Sequence, residues 1–177
     1  LGLKKDDEVI VPAISFVSSA TAILHQGCKP VFCDVDLENY CMCPVSLEKK
    51  ISKKTKAIIP VHFAGSSCEM KKIIKISKKY NIPLIEDCAQ AHGTKYHGKM
   101  VGSFGKIACF SFYATKHMTT GEGGILCTDD KKVHDFGTID DGTPVETIFS
   151  YTNTGDAPLV VSEIKSTCGC TVPQDWS

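Results

Sequence analysis

Residues 109–124, CFSFYATKHMTTGEGG, place one lysine, Lys116, where a strand-like run gives way to a glycine-rich turn. A lysine that attacks an aldehyde needs a desolvated setting, which lowers the pKa of its amine. It also needs a partner that withdraws electrons from the product. The aromatic and glycine-rich surroundings of Lys116 suit such a nucleophile. Taken alone, Lys116 also fits an ordinary surface lysine. Its interpretation therefore depends on which other functional side chains are predicted to lie near it.

Pyridoxal 5′-phosphate is the cofactor that works this way, because a lysine holds it as a Schiff base while a carboxylate keeps its pyridinium nitrogen protonated. Asp87 ends an apolar strand 29 residues before Lys116 and suits that carboxylate. Ser111, five residues before Lys116, suits the phosphate, and Phe16 could cover a face of the ring. Each residue alone is weak evidence, but their combination in this order predicts a pyridoxal phosphate site.

Strand-like and helix-like runs alternate through the first 130 residues. Strands are predicted at Glu8–Val11, Val31–Val35, Ala57–His62, Pro83–Asp87, Ile107–Phe112 and Gly124–Thr128. Helices are predicted at Phe16–Leu24, Val45–Ile51 and Met70–Tyr80, and a hairpin over His92–Val101 that turns at His97-Gly98. This alternation predicts an α/β fold with a mainly parallel sheet covered on both faces, a three-layer α/β/α core. Ligands bind such sheets beyond the carboxyl ends of the strands, where Asp87 and Ser111 fall.

The last part of the chain differs in pattern and in charge. Residues 1–132 carry 19 lysines and 13 acidic residues, whereas residues 133–177 carry one lysine and seven acidic residues. Short alternating strands around the turn Asn153–Asp156, without helical periodicity, predict a short all-β segment. We therefore predict two parts, residues 1–134 and residues 135–177.

Composition excludes several classes of partner. The net charge is zero, which gives no reason to expect nucleic acid or an anionic membrane surface as a partner. No run approaches the roughly 18 apolar residues that a membrane span needs.

Cysteines inside apolar runs are predicted to be reduced core thiols, namely Cys33, Cys88, Cys109 and Cys127. The short pairs Cys41/Cys43 and Cys168/Cys170 lack a second pair at zinc-site spacing, so we expect no metal site.

Four stretches closely resemble the DegT/DnrJ/EryC1/StrS aminotransferases, over about residues 1–133. They are VIVPAISFVSSATAILHQGCKPVFCDVD, KAIIPVHFAG, IPLIEDCAQAHGTKYHGKMVGSFG and CFSFYATKHMTTGEGGILCTDD, with the specific motifs D-x-A-Q and S-F-x-x-T-K. The resemblance implies part of the large domain of a fold-type I pyridoxal phosphate enzyme. Family members mostly aminate keto sugars that are attached to nucleotides, so it also implies such a sugar and an amino-acid donor as substrates.

The resemblance assigns roles to the motif residues. Lys116 would be the Schiff-base lysine and proton shuttle, and Asp87 would pair with the ring nitrogen. Gln90 would hydrogen-bond the phenolic oxygen of the ring, Ser111 would bind phosphate, and Phe16 would stack on the ring. No role is assigned to His62, His92, His117 or Glu122, and His92 is interpreted as a packed structural histidine.

Departures from the family pattern bear on activity. The family begins well before Leu1 with a phosphate-binding loop, and it continues past Asp130 with a small domain that supplies dimer and substrate contacts. We therefore expect impaired cofactor binding and activity if the chain occurs as printed, and a cytoplasmic homodimer for a complete family enzyme. His117 stands where the family often has asparagine.

The last part of the chain resembles the start of DUF1573 domains, which are immunoglobulin-like modules common in exported bacterial proteins. The resemblance rests on the stretch DFGTIDDGTPVETIFSYTNTGDAPLVVSEIKSTCGCTVP. This conflicts with a cytoplasmic location and leaves open whether the two parts are a natural fusion. Two alternatives follow. The chain could be a non-catalytic β-rich binding or structural protein defined by the tail. It could also be related to the pyridoxal phosphate-dependent sugar dehydratases, which replace the Schiff-base lysine with histidine, although Lys116 argues against that branch.

Overall fold

The structure is a computed structural model that describes residues 1–129. Eight strands lie at β1 Glu8–Pro12, β2 Lys29–Cys33, β3 Thr55–Ile58, β4 Ile85–Asp87, β5 Lys95–Tyr96, β6 Lys99–Met100, β7 Ile107–Ser111 and β8 Gly124–Cys127. Three α-helices lie at α1 Ser18–His25, α2 Pro44–Lys50 and α3 Met70–Tyr80, and a single 3-10 turn spans Phe63–Gly65. The predicted all-β segment, residues 135–177, lies outside the described residues.

The strands form a mainly parallel sheet. β1 pairs in parallel with β2 on one side and β3 on the other, and β4 pairs in parallel with β7. Two parallel bridges, Ile58 with Leu84 and Val61 with Asp87, join these parts, so the order is β2-β1-β3-β4-β7-β8. Only the last of these strands, β8, runs antiparallel to its neighbour. The carboxyl ends of β4 and β7 therefore lie side by side at one edge of the sheet.

Helices cover both faces of the first strands, which confirms the three-layer α/β/α fold. Val9, Val11 and Ala57 pack with Ile23 of α1 on one face. Ile10 and Ile58 face the other way and pack with residues of α2 and α3, including Leu47, Met70 and Ile73. This division follows from the period of two along a strand, which sends alternate side chains to opposite layers.

Helix α3 has the bounds that the sequence predicts. Its apolar positions face the core, and Asn81 ends it in the left-handed conformation with φ 53°. The predicted hairpin is also present as β5 and β6, with His97 and Gly98 both at positive φ, as a tight two-residue turn requires.

Several predicted boundaries were wrong, including the start of β4, which is Ile85 instead of Pro83. β3 ends at Ile58 instead of His62, because Pro60 has no N–H to continue the ladder, and only one isolated bridge, Val61 with Asp87, follows. β2 spans Lys29–Cys33 instead of Val31–Val35, and Val35 instead forms an antiparallel bridge with Met42. Helix α1 begins at Ser18, which leaves Phe16 in the loop before it.

The prediction that every strand is covered on both faces was also too general. In β7, Ala108 is buried but Cys109 is exposed, and Ile125 and Leu126 of β8 are each half exposed. Cys33 and Cys88 are buried free thiols as expected, whereas Cys109 is not a core residue of the part that the structure describes. Within residues 1–129, no helix is long and apolar enough to cross a membrane.

Candidate active site

Asp87 is the last residue of β4, and two hydrogen bonds fix its carboxylate. The hydroxyl of Ser19, a buried residue of α1, donates to Oδ2 over 2.8 Å, and the N–H of Ala89 donates to Oδ1 over 3.1 Å. The Ser19 hydroxyl also lies 2.7 Å from the hydroxyl of Ser15. The carboxylate is therefore held from two sides at the edge of the sheet where parallel α/β proteins bind ligands.

Ser111 and Lys116 follow on the neighbouring strand. Ser111 ends β7, and its oxygen accepts the N–H of Tyr113 over 3.3 Å, which leaves its own O–H to donate elsewhere. The chain then turns, with the Lys116 N–H donating to the Tyr113 carbonyl over 2.9 Å. Lys116 is half-buried in this turn.

Lys116 and Gln90 line the same cavity, which has a volume of about 340 Å³. Its other lining residues are Phe63, Ala64, Thr115 and His117. The side-chain oxygen of Gln90 accepts the Ala64 N–H over 2.8 Å, so the amide nitrogen of Gln90 is the end that remains to donate to a ligand. A volume of this size is at the lower end of the range of small-molecule sites, about 300–1,000 Å³.

Phe16 lies in the loop between β1 and α1, and 68% of its surface is exposed. It is three residues from Ser19, the residue that binds Asp87. A ring that is largely free of protein contacts remains available to cover a planar ligand.

A second cavity, of about 430 Å³, lies between α3 and the hairpin. It is lined by Lys71, Ile74, Tyr96, His97, Lys99 and Phe104. None of the residues that the sequence assigns to the site lines this cavity, so it plays no part in the candidate active site.

A fully buried pair of hydrogen-bonded side chains, Glu86 and His62, lies next to Asp87. Glu86 and His62 are both 0% exposed, and the His62 Nε2 lies 3.0 Å from the Glu86 carboxylate. Burial alone would raise the pKa of Glu86. The hydrogen bonds from His62 and from the backbone N–H groups of the 102–105 loop outweigh burial, so the pKa lies below its ordinary value.

Glu86, His62 and Cys88 are metal-ligand types whose ligand atoms lie within 4.8 Å of one another. Hydrogen bonds already engage the relevant atoms, because the Cys68 N–H donates to His62 Nδ1 and several N–H groups point at the Glu86 carboxylate. N–H groups that point at a carboxylate favour the anion and oppose a cation. The cluster therefore fits a hydrogen-bonded core and does not fit a metal centre.

His92 packs behind the Lys116 turn. Its ring centroid lies 5.6 Å from both Phe110 and Phe112, and 6.4 Å from His117. Both ring nitrogens are buried and have no hydrogen-bond partner within residues 1–129. This environment agrees with the interpretation of His92 as a packed residue, whereas Glu122 stays without an assigned role.

Sequence reasoning missed Ser19 and the pair formed by His62 and Glu86. A serine in the first turn of a helix carries no signal of its own, because only the fold brings it to Asp87. Glu86 did carry a signal. It is a charged residue inside the apolar run PLIED, and such a residue must find partners if the strand is buried.

Residues 1–138 match the model of the DegT/DnrJ/EryC1/StrS aminotransferase family. The chain belongs to this family. Residues 127–177 match a second family model, described as a protein of unknown function (DUF1573). The two matched regions overlap at residues 127–138, so the boundary at 134 stays a prediction.

Curated relatives and solved structures agree with the family. The chain is 47% identical to the GDP-perosamine synthase of Escherichia coli O157:H7 over 135 residues, which cover 76% of this chain and 37% of that protein. An aminotransferase structure from Psychrobacter cryohalolentis superposes with a TM-score of 0.71 at 44% identity, covering 72% of this chain and 33% of that chain.

A related structure carries the predicted cofactor. The E. coli GDP-4-keto-6-deoxy-D-mannose-3-dehydratase with bound hydrated PLP superposes with a TM-score of 0.70 at 34% identity, covering 73% of this chain and 33% of that chain. The chain spans about a third of the length of the curated relatives it matches.

Proposed function

We propose that the chain contributes the cofactor-binding core of a pyridoxal phosphate-dependent aminotransferase that transfers an amino group to a nucleotide-linked keto sugar. The observation that carries the proposal is the Asp87 carboxylate. It is fixed by Ser19 and Ala89 at the end of β4, beside the strand that leads to Lys116. Membership of the family and the names of the relatives support the choice of reaction and substrate class.

The described residues fit this cofactor. A planar, anionic aldehyde needs an amine, a carboxylate, hydroxyl donors and an aromatic cover, and the chain supplies these as Lys116, Asp87, Ser111 and Phe16. The cavity beside Lys116 and the donating end of Gln90 agree with a ligand of this polarity. Bound pyridoxal phosphate would supply the carbonyl group that accepts the amino group and a ring that withdraws electrons.

Each side chain then has a defined task. Lys116 Nζ would hold the aldehyde carbon covalently and carry the proton that moves during amino transfer. Asp87 would keep a proton on the ring nitrogen, with its carboxylate oriented by the Ser19 hydroxyl. The Gln90 amide would donate to the phenolic oxygen, the Ser111 hydroxyl to the phosphate, and Phe16 would exclude water from one face of the ring.

The proposal extends to partners and compartment. We place the enzyme in the cytoplasm as a homodimer that takes its amino group from an amino acid. All eight cysteines in residues 1–129 are free thiols, which is typical of a reducing compartment.

The test is the amination of nucleotide-linked 4-keto sugars by the full-length protein and by its Asp87→Asn variant. The variant should lose several kcal/mol of transition-state stabilisation, because an unprotonated ring is a poor electron sink. Asp129→Asn is the matched control. Asp129 is exposed and follows β8, which runs antiparallel, so it lies at the opposite edge of the sheet.

Retention of full activity by Asp87→Asn would show that another group protonates the ring. A dehydrated product in place of an aminated one would assign the protein to the dehydratase branch. The absence of any reaction and of any bound cofactor would favour a non-catalytic role.

A further inference from the structure

The carboxylate of Glu86 is the most heavily hydrogen-bonded side chain among the described residues. It accepts the N–H groups of Gly102, Phe104 and Gly105 over 2.8, 2.7 and 2.6 Å, and it lies 3.0 Å from His62 Nε2. The loop that supplies these donors requires glycine. A Cβ on Gly105 would lie 2.9 Å from the Leu84 carbonyl oxygen, and Gly102 has φ +86°.

The orientation of His62 follows from its two contacts. Nδ1 accepts the N–H of Cys68 over 3.1 Å, so the ring proton is assigned to Nε2, which donates to Glu86. Both side chains are fully buried. Apolar residues of similar volume often stabilise a core as well as buried charged groups do, so a contribution to stability alone does not explain why a carboxylate and an imidazole are buried here.

The pair fixes one segment against another. The His62 N–H donates to the Asp87 carbonyl over 3.0 Å, and the Asp87 N–H donates to the Pro60 carbonyl over 2.9 Å. The side-chain bond from His62 to Glu86 adds a third connection between the same two segments. The segment 60–62 is thereby held in one register against the strand that presents Asp87.

The same segment reaches Gln90. Directly after His62 the chain makes a tight turn in which Ala64 has φ 50°, an unfavourable conformation for a residue with a Cβ. The Ala64 N–H donates to the Gln90 side-chain oxygen over 2.8 Å, and the Thr94 hydroxyl donates to the Gly65 carbonyl over 2.8 Å. A shift of His62 would move this turn and with it the anchor of Gln90.

We propose that His62 and Glu86 are positioning residues that set Asp87 and Gln90 in the geometry that the cofactor requires. The inference rests on the proposed function. Neither residue touches the cavity beside Lys116, so the pair acts through the backbone of residues 60–65 and β4. Binding groups need support of this kind because they must be held within about 0.5 Å of the productive geometry.

The test compares His62→Leu, His62→Gln and Glu86→Gln in the full-length protein. Leucine removes both side-chain hydrogen bonds of His62, those with Cys68 and with Glu86, whereas glutamine can still donate to Glu86. We expect His62→Leu and Glu86→Gln to lower the affinity for pyridoxal phosphate by about tenfold, the size typical of lost orienting partners. His62→Gln should bind pyridoxal phosphate within about threefold of the wild-type affinity. The glutamine amide can replace the hydrogen bond from His62 to Glu86, and exchanging one neutral donor for another changes the net free energy little.

Two readouts separate positioning from simple destabilisation. Visible circular dichroism of the holoprotein reports the orientation of the bound cofactor, and it should change in His62→Leu and Glu86→Gln but not in His62→Gln. Hydrogen exchange of the apoprotein should show lost protection at the Ala64 amide in the first two variants. Glu48→Gln is the matched control, because it breaks the exposed pair of Glu48 with Lys79.

The outcomes distinguish the two proposals. A wild-type protein that binds no pyridoxal phosphate overturns the proposed function and this inference together. A wild-type protein that binds it, with variants that melt earlier yet keep the wild-type affinity, dichroism and Ala64 protection, overturns the inference alone. If His62→Leu does not fold, Glu86→Gln and the rescue by His62→Gln still decide it.

Discussion

At the scale of single residues, the side chains proposed to contact the cofactor differ from the groups that hold those side chains in place. Lys116 and Asp87 can be predicted from the sequence because their types and spacing match a known chemistry, and the family resemblance adds Gln90. The groups that orient them cannot be predicted in this way, because the Ser19 hydroxyl reaches Asp87 across 68 residues of chain and the group that holds Gln90 is the backbone N–H of Ala64. Residue types therefore predict what the site could do, whereas the fold determines how the groups are held.

Ser19→Ala tests how Asp87 is held. The substitution removes the hydroxyl that donates to Oδ2, and a hydrogen bond to a charged group contributes about 1.5–3 kcal/mol. We expect affinity for pyridoxal phosphate to fall by about tenfold, equivalent to about 1.4 kcal/mol, as measured by titration of the visible absorbance. Ser18→Ala is the control, since Ser18 is the exposed neighbour on α1, and equal affinities in the two variants would contradict this role.

At the scale of elements, the sequence predicts best where local signals agree. Helix α3 was predicted with its true bounds because its apolar spacing, its lysine-rich face and Asn81 all indicate the same helix. The predicted end of β3 was wrong because an apolar run does not show where strand pairing stops. Pro60 within the run did indicate that the pairing would stop before His62. The exposure of Cys109 in β7 depends on what covers the sheet, and the composition of a strand does not reveal that.

Asn81 offers a test of the end of α3. Its φ of 53° suits glycine and is costly for residues with a Cβ, so Asn81→Ala should lower the free energy of unfolding by about 1 kcal/mol. Asn81→Gly should be equal to the wild type or more stable. Chemical denaturation of both variants measures the difference, and equal stability of the alanine and glycine variants would show that the cap is not a determinant of stability.

The Glu86 environment predicts a dependence of stability on pH. The pKa of Glu86 is lower in the folded protein than its ordinary value of 4.5, so its contribution to stability is complete above about pH 4.5. That contribution is lost as the pH falls through the folded pKa. Glu86→Gln should therefore unfold more easily at neutral pH, by about 1.5–3 kcal/mol, because a neutral amide replaces the carboxylate that accepts several N–H groups. It should also lose less stability than the wild type below pH 4.5.

Urea unfolding at several pH values measures both effects. Glu48→Gln serves as the comparison, because its exposed pair with Lys79 is screened by salt and should contribute little. A Glu86→Gln variant with the pH dependence of the wild type would show that Glu86 does not carry this linkage.

At the scale of the whole molecule, the parallel sheet brings distant motifs to one edge. β4 and β7 are adjacent, so the D-x-A-Q and S-F-x-x-T-K motifs, which lie more than 20 residues apart, meet at neighbouring strand ends. The chain spans about a third of the length of its curated relatives, so the roles proposed for Lys116, Asp87 and Gln90 concern only that part of the family's length. The recognition of the sugar and of the amino donor belongs to the proposed function of the complete protein.

The central claim is that Lys116 carries the cofactor, and one measurement tests it most directly. The full-length protein is saturated with pyridoxal phosphate, reduced with borohydride and digested, and the modified lysine is located by mass spectrometry. The account predicts one modified peptide, the one that contains Lys116, and no change in Lys106→Ala, a control in which an exposed lysine before β7 is removed. Modification spread over several surface lysines, or concentrated on a lysine other than Lys116, would contradict the account.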